Sequence, residues 1–155
     1  MPLKKLKKKV KIVKNKNKLF SILTIIFVLV VVGGIVWYKL ATRQVYVPDI
    51  PNSHNLSSIA YELPTGIVTV AETEKMDKVL NGLLELNLKS TNVSVQDTPT
   101  EVENLVAIRF NYKEDAVGSV YLYSKNGKYY VEEPYNGIYK ISKENYDYII
   151  SLINE

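Results

Sequence analysis

The chain has 155 residues, 46% of them hydrophobic and 23% charged, which suffices for about one domain and leaves no room for a second sizeable core. Its formal charge of +4 averages two opposite ends: nine lysines and no acid fall within the first 18 positions, whereas from Gln44 to Glu155 nine basic residues face sixteen acidic ones. The uninterrupted apolar run between them excludes a wholly water-soluble protein, and the lack of cysteine excludes disulfide support, structural zinc and a lipid-anchored lipoprotein.

Residues 1–18 form a basic tail. Leu3, Leu6, Val10 and Val13 recur at spacings of three and four among the lysines, so a helix here would set Lys4, Lys5, Lys7, Lys8, Lys9 and Lys11 against anionic lipid. Each lysine near such a surface adds about 1 kcal/mol. The plainer reading is a topology signal solvated on the inner face. Nucleic acid is not expected as a partner, because no arginine or aromatic residue interleaves with the lysines.

Residues 19–40 are the predicted transmembrane helix. From Leu19 to Tyr38 no residue is charged and fourteen are Leu, Ile, Val or Phe. Twenty residues at 1.5 Å each span about 30 Å, the hydrocarbon thickness. The fourteen contribute on the order of −4 to −8 kcal/mol of insertion free energy, which outweighs Ser21, Thr24 and the Gly33-Gly34 pair. A cleaved signal peptide is the competing reading. The run is longer than such a segment needs, and cleavage after Ala41 would place Lys39 where a small residue is wanted. The tail lysines against Lys39 and Arg43 put the N-terminus in the cytoplasm and the C-terminus outside.

Residues 41–55, with Pro48, Pro51, Asp49 and Asn52, read as an extracellular spacer. Residues 56–155 read as an extracellular domain. Ile59, Tyr61 and Leu63 alternate, Pro64-Thr65-Gly66 turns, and a β-branched run follows from Ile67 to Ala71. Thr73 is placed to cap a helix carrying Met76, Val79, Leu80 and Leu83, with Gly82 a weak point. The polar stretch from Lys89 to Asn104 predicts no element. Leu105 to Tyr112 is the clearest strand.

Asn126-Gly127 then marks a type I′ hairpin, pairing Ser124 with Tyr129, Tyr123 with Tyr130, Leu122 with Val131 and Tyr121 with Glu132. A turn from Pro134 to Gly137 leads to a short strand over Ile138 to Ile141, and Ser142 caps a closing helix with Tyr146, Ile149, Ile150 and Ile153 on one face. The expected fold is α+β, of order ββαβββα: an antiparallel sheet of about five strands with two helices on one face. The core would draw on Ile59, Val70, Val79, Leu83, Ile108, Phe110, Leu122, Val131, Ile149 and Ile153.

Met76-Asp77-Lys78-Val79-Leu80, Val120-Tyr121-Leu122-Tyr123, Gly127-Lys128-Tyr129-Tyr130 and Pro134-Tyr135-Asn136-Gly137-Ile138-Tyr139 together resemble a domain-of-unknown-function family, number 5301. That family occurs in membrane and exported proteins of low-GC Gram-positive bacteria (Firmicutes). The resemblance covers about Leu56 to Asn154 and implies a cell-membrane location, but no activity.

Chemistry is sparse. His54 is the one histidine and sits in the spacer beside Ser53 and Ser57, without the rigid support a triad requires. Glu132 and Glu133 are adjacent on a strand and point to opposite faces, so they cannot flank one bond. Asp97, Glu101 and Glu103 lack the spacing of a calcium loop. No cofactor or metal is expected. The informative residues are tyrosines: Tyr121, Tyr123 and Tyr130 share the face opposite Leu122 and Val131, and would form an exposed contact surface if that second face is uncovered. Tyr135 and Asn136, at a turn tip, are a second candidate.

The leading expectation is a single-pass membrane protein presenting a non-enzymatic domain for interaction or regulation, with membrane lipid and another envelope or membrane protein as partners. The alternatives are an envelope hydrolase using carboxylates assembled by the fold, and a transmembrane sensor acting through the basic tail.

Overall fold

The computed structural model describes residues 3–155, with side chains for Lys18 and for residues 20–155. The chain divides into two compact units, Met1–Arg43 and Gln44–Glu155. The first is one helix, α1 (Leu3–Ala41). Its segment Phe20–Ala41 has mean hydropathy 2.7 and no buried residue, and is long and apolar enough to cross a membrane. Thr24 donates its hydroxyl to Phe20 O at 2.9 Å, so this polar group is satisfied within the helix. The side chains of Lys4, Lys5, Lys7, Lys8, Lys9 and Lys11, expected against anionic lipid, lie outside the described residues.

The second unit contains β1 (Leu56–Leu63), β2 (Gly66–Val70), α2 (Thr73–Glu85), β3 (Glu103–Tyr112), β4 (Val117–Lys125), β5 (Lys128–Glu132), β6 (Ile138–Ile141) and α3 (Lys143–Ile153). The strands form one antiparallel sheet of order β2-β1-β3-β4-β5-β6. The fold is α+β, with six strands rather than about five and the order ββαββββα. The strand read over Ile138 to Ile141 is β6, so the elements themselves are all anticipated and only their count falls one short; its four residues all pair with β5 and seat Tyr139 and Ile141 in the core.

Local rules account for the hairpins. Asn126 (φ 52°) and Gly127 (φ 68°) both adopt the left-handed conformation that a type I′ turn demands. The resulting register is Tyr121↔Glu132, Leu122↔Val131, Tyr123↔Tyr130 and Ser124↔Tyr129, as the sequence predicts. Period-two alternation sends Ile59, Tyr61, Val106, Ile108, Phe110, Val120, Leu122, Val131 and Tyr139 to one face, where the apolar stripes of α2 and α3 cover them. Burial of each such side chain stabilises by about 1.5–3 kcal/mol. Of the expected core residues, only Val70 is less than fully buried, and it packs against the cluster.

Three details differ from expectation. The stretch 41–55 is not a free spacer from Gln44 onward: Tyr46 exchanges backbone hydrogen bonds with Ser90, at 2.7 and 3.0 Å, and Ile50 packs on the core. The segment from Lys89 to Asn104 is not merely a polar connection, since it folds back on the sheet and bridges it at Val93↔Gly137. Helix α2 starts one residue earlier than expected, with Glu72 at the cap position and no side-chain cap, whereas Ser142 caps α3 by accepting from Asn145 N at 3.2 Å.

Gly82 is where the helices meet rather than a weak point. A Cβ there would lie 2.5 Å from Leu152 Cδ1 and 3.2 Å from Ile149 Cδ1. Gly82→Val should therefore destabilise the domain by about 1–3 kcal/mol through overpacking, read as a lower midpoint in denaturant at unchanged slope.

Candidate functional site

The tyrosine face is covered. Tyr121, Tyr123 and Tyr130 do lie together opposite Leu122 and Val131, but Tyr121 and Tyr123 are buried and Tyr130 is half-buried. They pack with Ala107 under Val102 and Leu105 as a second, smaller apolar cluster. The cover is the stretch from Ser94 to Val102, so the expected exposed contact surface does not exist at Tyr121 and Tyr123.

At the centre of this cover sits Glu132, fully buried. Its Oε2 accepts from the Tyr123 hydroxyl at 2.7 Å, and its Oε1 accepts from Ser94 Oγ at 2.6 Å and Gln96 Nε2 at 3.3 Å. Burial and the carboxylate beside it push the Tyr123 hydroxyl far up, which keeps it a protonated donor. Tyr123 stacks on Tyr130 with ring centroids 5.4 Å apart, and Tyr121 OH lies 3.3 Å from Thr98 Oγ1. A charge so enclosed is tolerable only because donors surround it. The arrangement fastens a loop, and both carboxylate oxygens are occupied.

The turn residues divide. Tyr135 is exposed, with φ 58° in a Glu133–Asn136 turn that suits glycine at its position, and its hydroxyl donates to Asp97 Oδ1 at 2.7 Å. Asn136 is a clamp instead: Nδ2 donates to Val47 O at 2.9 Å and to Glu133 Oε2 at 2.6 Å. Glu133 Oε2 also accepts from Asp49 N at 2.9 Å. Burial raises the Glu133 pKa above the ordinary carboxylate range despite these donors. Glu132 and Glu133 therefore serve different surroundings, one under the loop and one under the 47–49 segment.

His54 is exposed, its Nδ1 3.5 Å from Ser53 Oγ, beside an open hollow of about 400 Å³ lined by Tyr112, Lys113 and Glu114. Among the described residues no carboxylate hydrogen-bonds its ring, and no group of three or more His, Asp or Glu could hold a metal ion. Elsewhere on the uncovered sheet surface, Arg109 forms a two-pronged ion pair with Glu62, with Nη2 3.0 Å from Oε2, and this holds the Glu62 carboxyl below the usual range.

The feature that sequence reasoning missed is the β2 side of the sheet. A groove of about 320 Å³ runs there, floored by Tyr61, Leu63, Val68, Val70, Leu152 and Ile153. Lys75 and Lys78, each about half exposed, stand at its rim, within 4 Å of Glu72 and Glu155 respectively. The sequence signal was present in Gly66-Ile67-Val68-Thr69-Val70, a strand without any charge, but strand order is not readable from one sequence.

Glu132→Gln should lower stability by about 1–3 kcal/mol, since an amide turns a donor toward donors, with proteolytic cutting of the 90–102 loop rising in parallel. Glu133 gives a pH signature. Its folded pKa is raised, so the folded state binds the proton more tightly, and stability is lost as pH climbs from the ordinary glutamate value through the raised one. Relative to Glu133→Gln, the parent should lose melting temperature steadily across that window; a difference constant with pH would contradict the assignment.

A family model described as a domain of unknown function (DUF5300) matches residues 41–140. No curated protein and no solved structure matches the chain.

Proposed function

The chain belongs to the DUF5301 family, a domain of unknown function, and from there we propose that it is a single-pass cell-membrane protein working by contact rather than by catalysis. Its basic tail lies in the cytoplasm, and its domain from Gln44 onward works outside the cell as an interaction or regulatory module. One observation carries the membrane part: every large apolar side chain from Phe20 to Leu40 is exposed, with no protein surface covering it. In water that surface would be costly, whereas a bilayer removes it at no loss of hydrogen bonding, because the helix satisfies its own backbone. The lysine excess on the N-terminal side supports the orientation.

The contact role rests on what the domain offers outward. Tyr121, Tyr123, Glu132 and Glu133 are spent on internal fastening, while the β2 edge and its groove present apolar side chains and, among the described residues, unpaired backbone groups. The partner class is another envelope or membrane protein meeting that edge. The test is topology in living cells. The full chain should pellet with membranes and resist alkaline extraction; added protease should remove a C-terminal tag and spare an N-terminal one. Recovery in the soluble fraction, or loss of the N-terminal tag, would refute the proposal.

A further inference from the structure

The two edges of the sheet are finished differently. At β6, Ile138 N donates to Asn92 O at 2.9 Å, Ser90 Oγ donates to Ile138 O at 2.6 Å, and Val93 bridges Gly137, so the chain closes its own edge. At β2, among the described residues, no strand or loop pairs with the outer side. The hairpin turns on two residues, Pro64 and Thr65, with Leu63 opposite Gly66. Antiparallel alternation from that closing pair directs the backbone groups of Gly66, Val68 and Val70 to β1 and those of Ile67 and Thr69 outward. Natural edge strands are commonly guarded by lysine, proline or a bulge. None guards Gly66-Ile67-Val68-Thr69-Val70, and Ile67 is 69% exposed.

We propose that β2 pairs antiparallel with β2 of a second copy of this chain, joining two six-stranded sheets into one across a twofold axis. The register follows from the outward groups. Ile67 opposite Thr69 of the other copy, and the reverse, uses all four outward N–H and C=O groups of each strand and sets the two Val68 residues opposite each other on the axis. That central pair is the non-hydrogen-bonded type, with Cα atoms about 4.5 Å apart. Val68 faces the groove, so the two grooves become continuous and cover each other's apolar floors.

A second copy fits better than an unrelated strand, because an isologous interface must be self-complementary. The strand itself is neutral, and the groove rim carries both signs, Lys75 and Lys78 with Glu155, so lysines of one copy can meet the acid of the other. The inference deepens the contact-module reading and rests on it for proximity, since anchoring in one membrane raises the effective concentration of copies.

The absence of cysteine makes the test clean. Val68→Cys in the full chain, in membranes under mild oxidation, should yield a disulfide-linked dimer about tenfold above Val95→Cys, a control on the exposed loop. Adding Ile67→Lys should cut that yield about tenfold by placing like charges across the axis, and Thr69→Lys should do the same if Ile67→Lys perturbs folding. Crosslinking no better than the control, or unchanged by both lysine variants with native melting curves, would overturn the proposal. Dimers insensitive to the lysines would place association in α1 instead. Membrane fractionation of the same samples reports the anchoring separately, so a soluble chain and an unpaired edge give different results.

Discussion

A buried carboxylate organises the unsupported side of this domain. Helices α2 and α3 cover one sheet face, and among the described residues the unit Gln44–Glu155 has no further α-helix for the other. Glu132 fills that need by accepting from Tyr123, Ser94 and Gln96, which ties an irregular stretch of chain onto the strands. A buried charge with its lone pairs satisfied is not a strong source of stability in itself, but leaving it half-satisfied is expensive. The loop is therefore held in one place, and its position decides much else.

Once the loop is fastened, its earlier residues, from Ser90 to Val93, reach the β6 edge and close it. The segment from Val47 to Asp49 is drawn in at the same end by Asn136 and Glu133. Covering elements thus gather over β4, β5 and β6, and the β1–β2 side is left to solvent, with Arg109 and Glu62 paired on one face and the apolar groove on the other. The open edge is the counterpart of the closed one: the long loop goes to β6, and among the described residues none pairs with the outer side of β2.

How much of this was legible depends on the range of the interaction. Ser142 at a helix cap, Asn126-Gly127 at a I′ turn and the pairing of Tyr123 with Tyr130 follow from dihedral preferences and a period of two, so they could be read directly. The shared face of the tyrosines was legible for the same reason, but its exposure was not. Gln96 and Glu132 are 36 residues apart in the chain, and no local pattern announces that the stretch around Gln96 will cross the sheet to meet that carboxylate. Gly82 shows the same limit: a helix interior penalises glycine, and only the closeness of Leu152 explains it.

By itself the sequence determined an apolar segment of membrane-crossing length, a strongly asymmetric charge, the strand and helix elements, the hairpin register and about half of the helix-facing core. These rest on periodicity, turn chemistry and hydropathy, which act within a dozen residues. The tertiary structure alone decided that the second face is closed over Tyr121 and Tyr123, that the 44–55 stretch is part of the domain, and that β2 is the sheet's free edge. Those outcomes depend on where finite lengths of chain come to lie over a sheet, a competition for surface that is settled only when all the strands are in place.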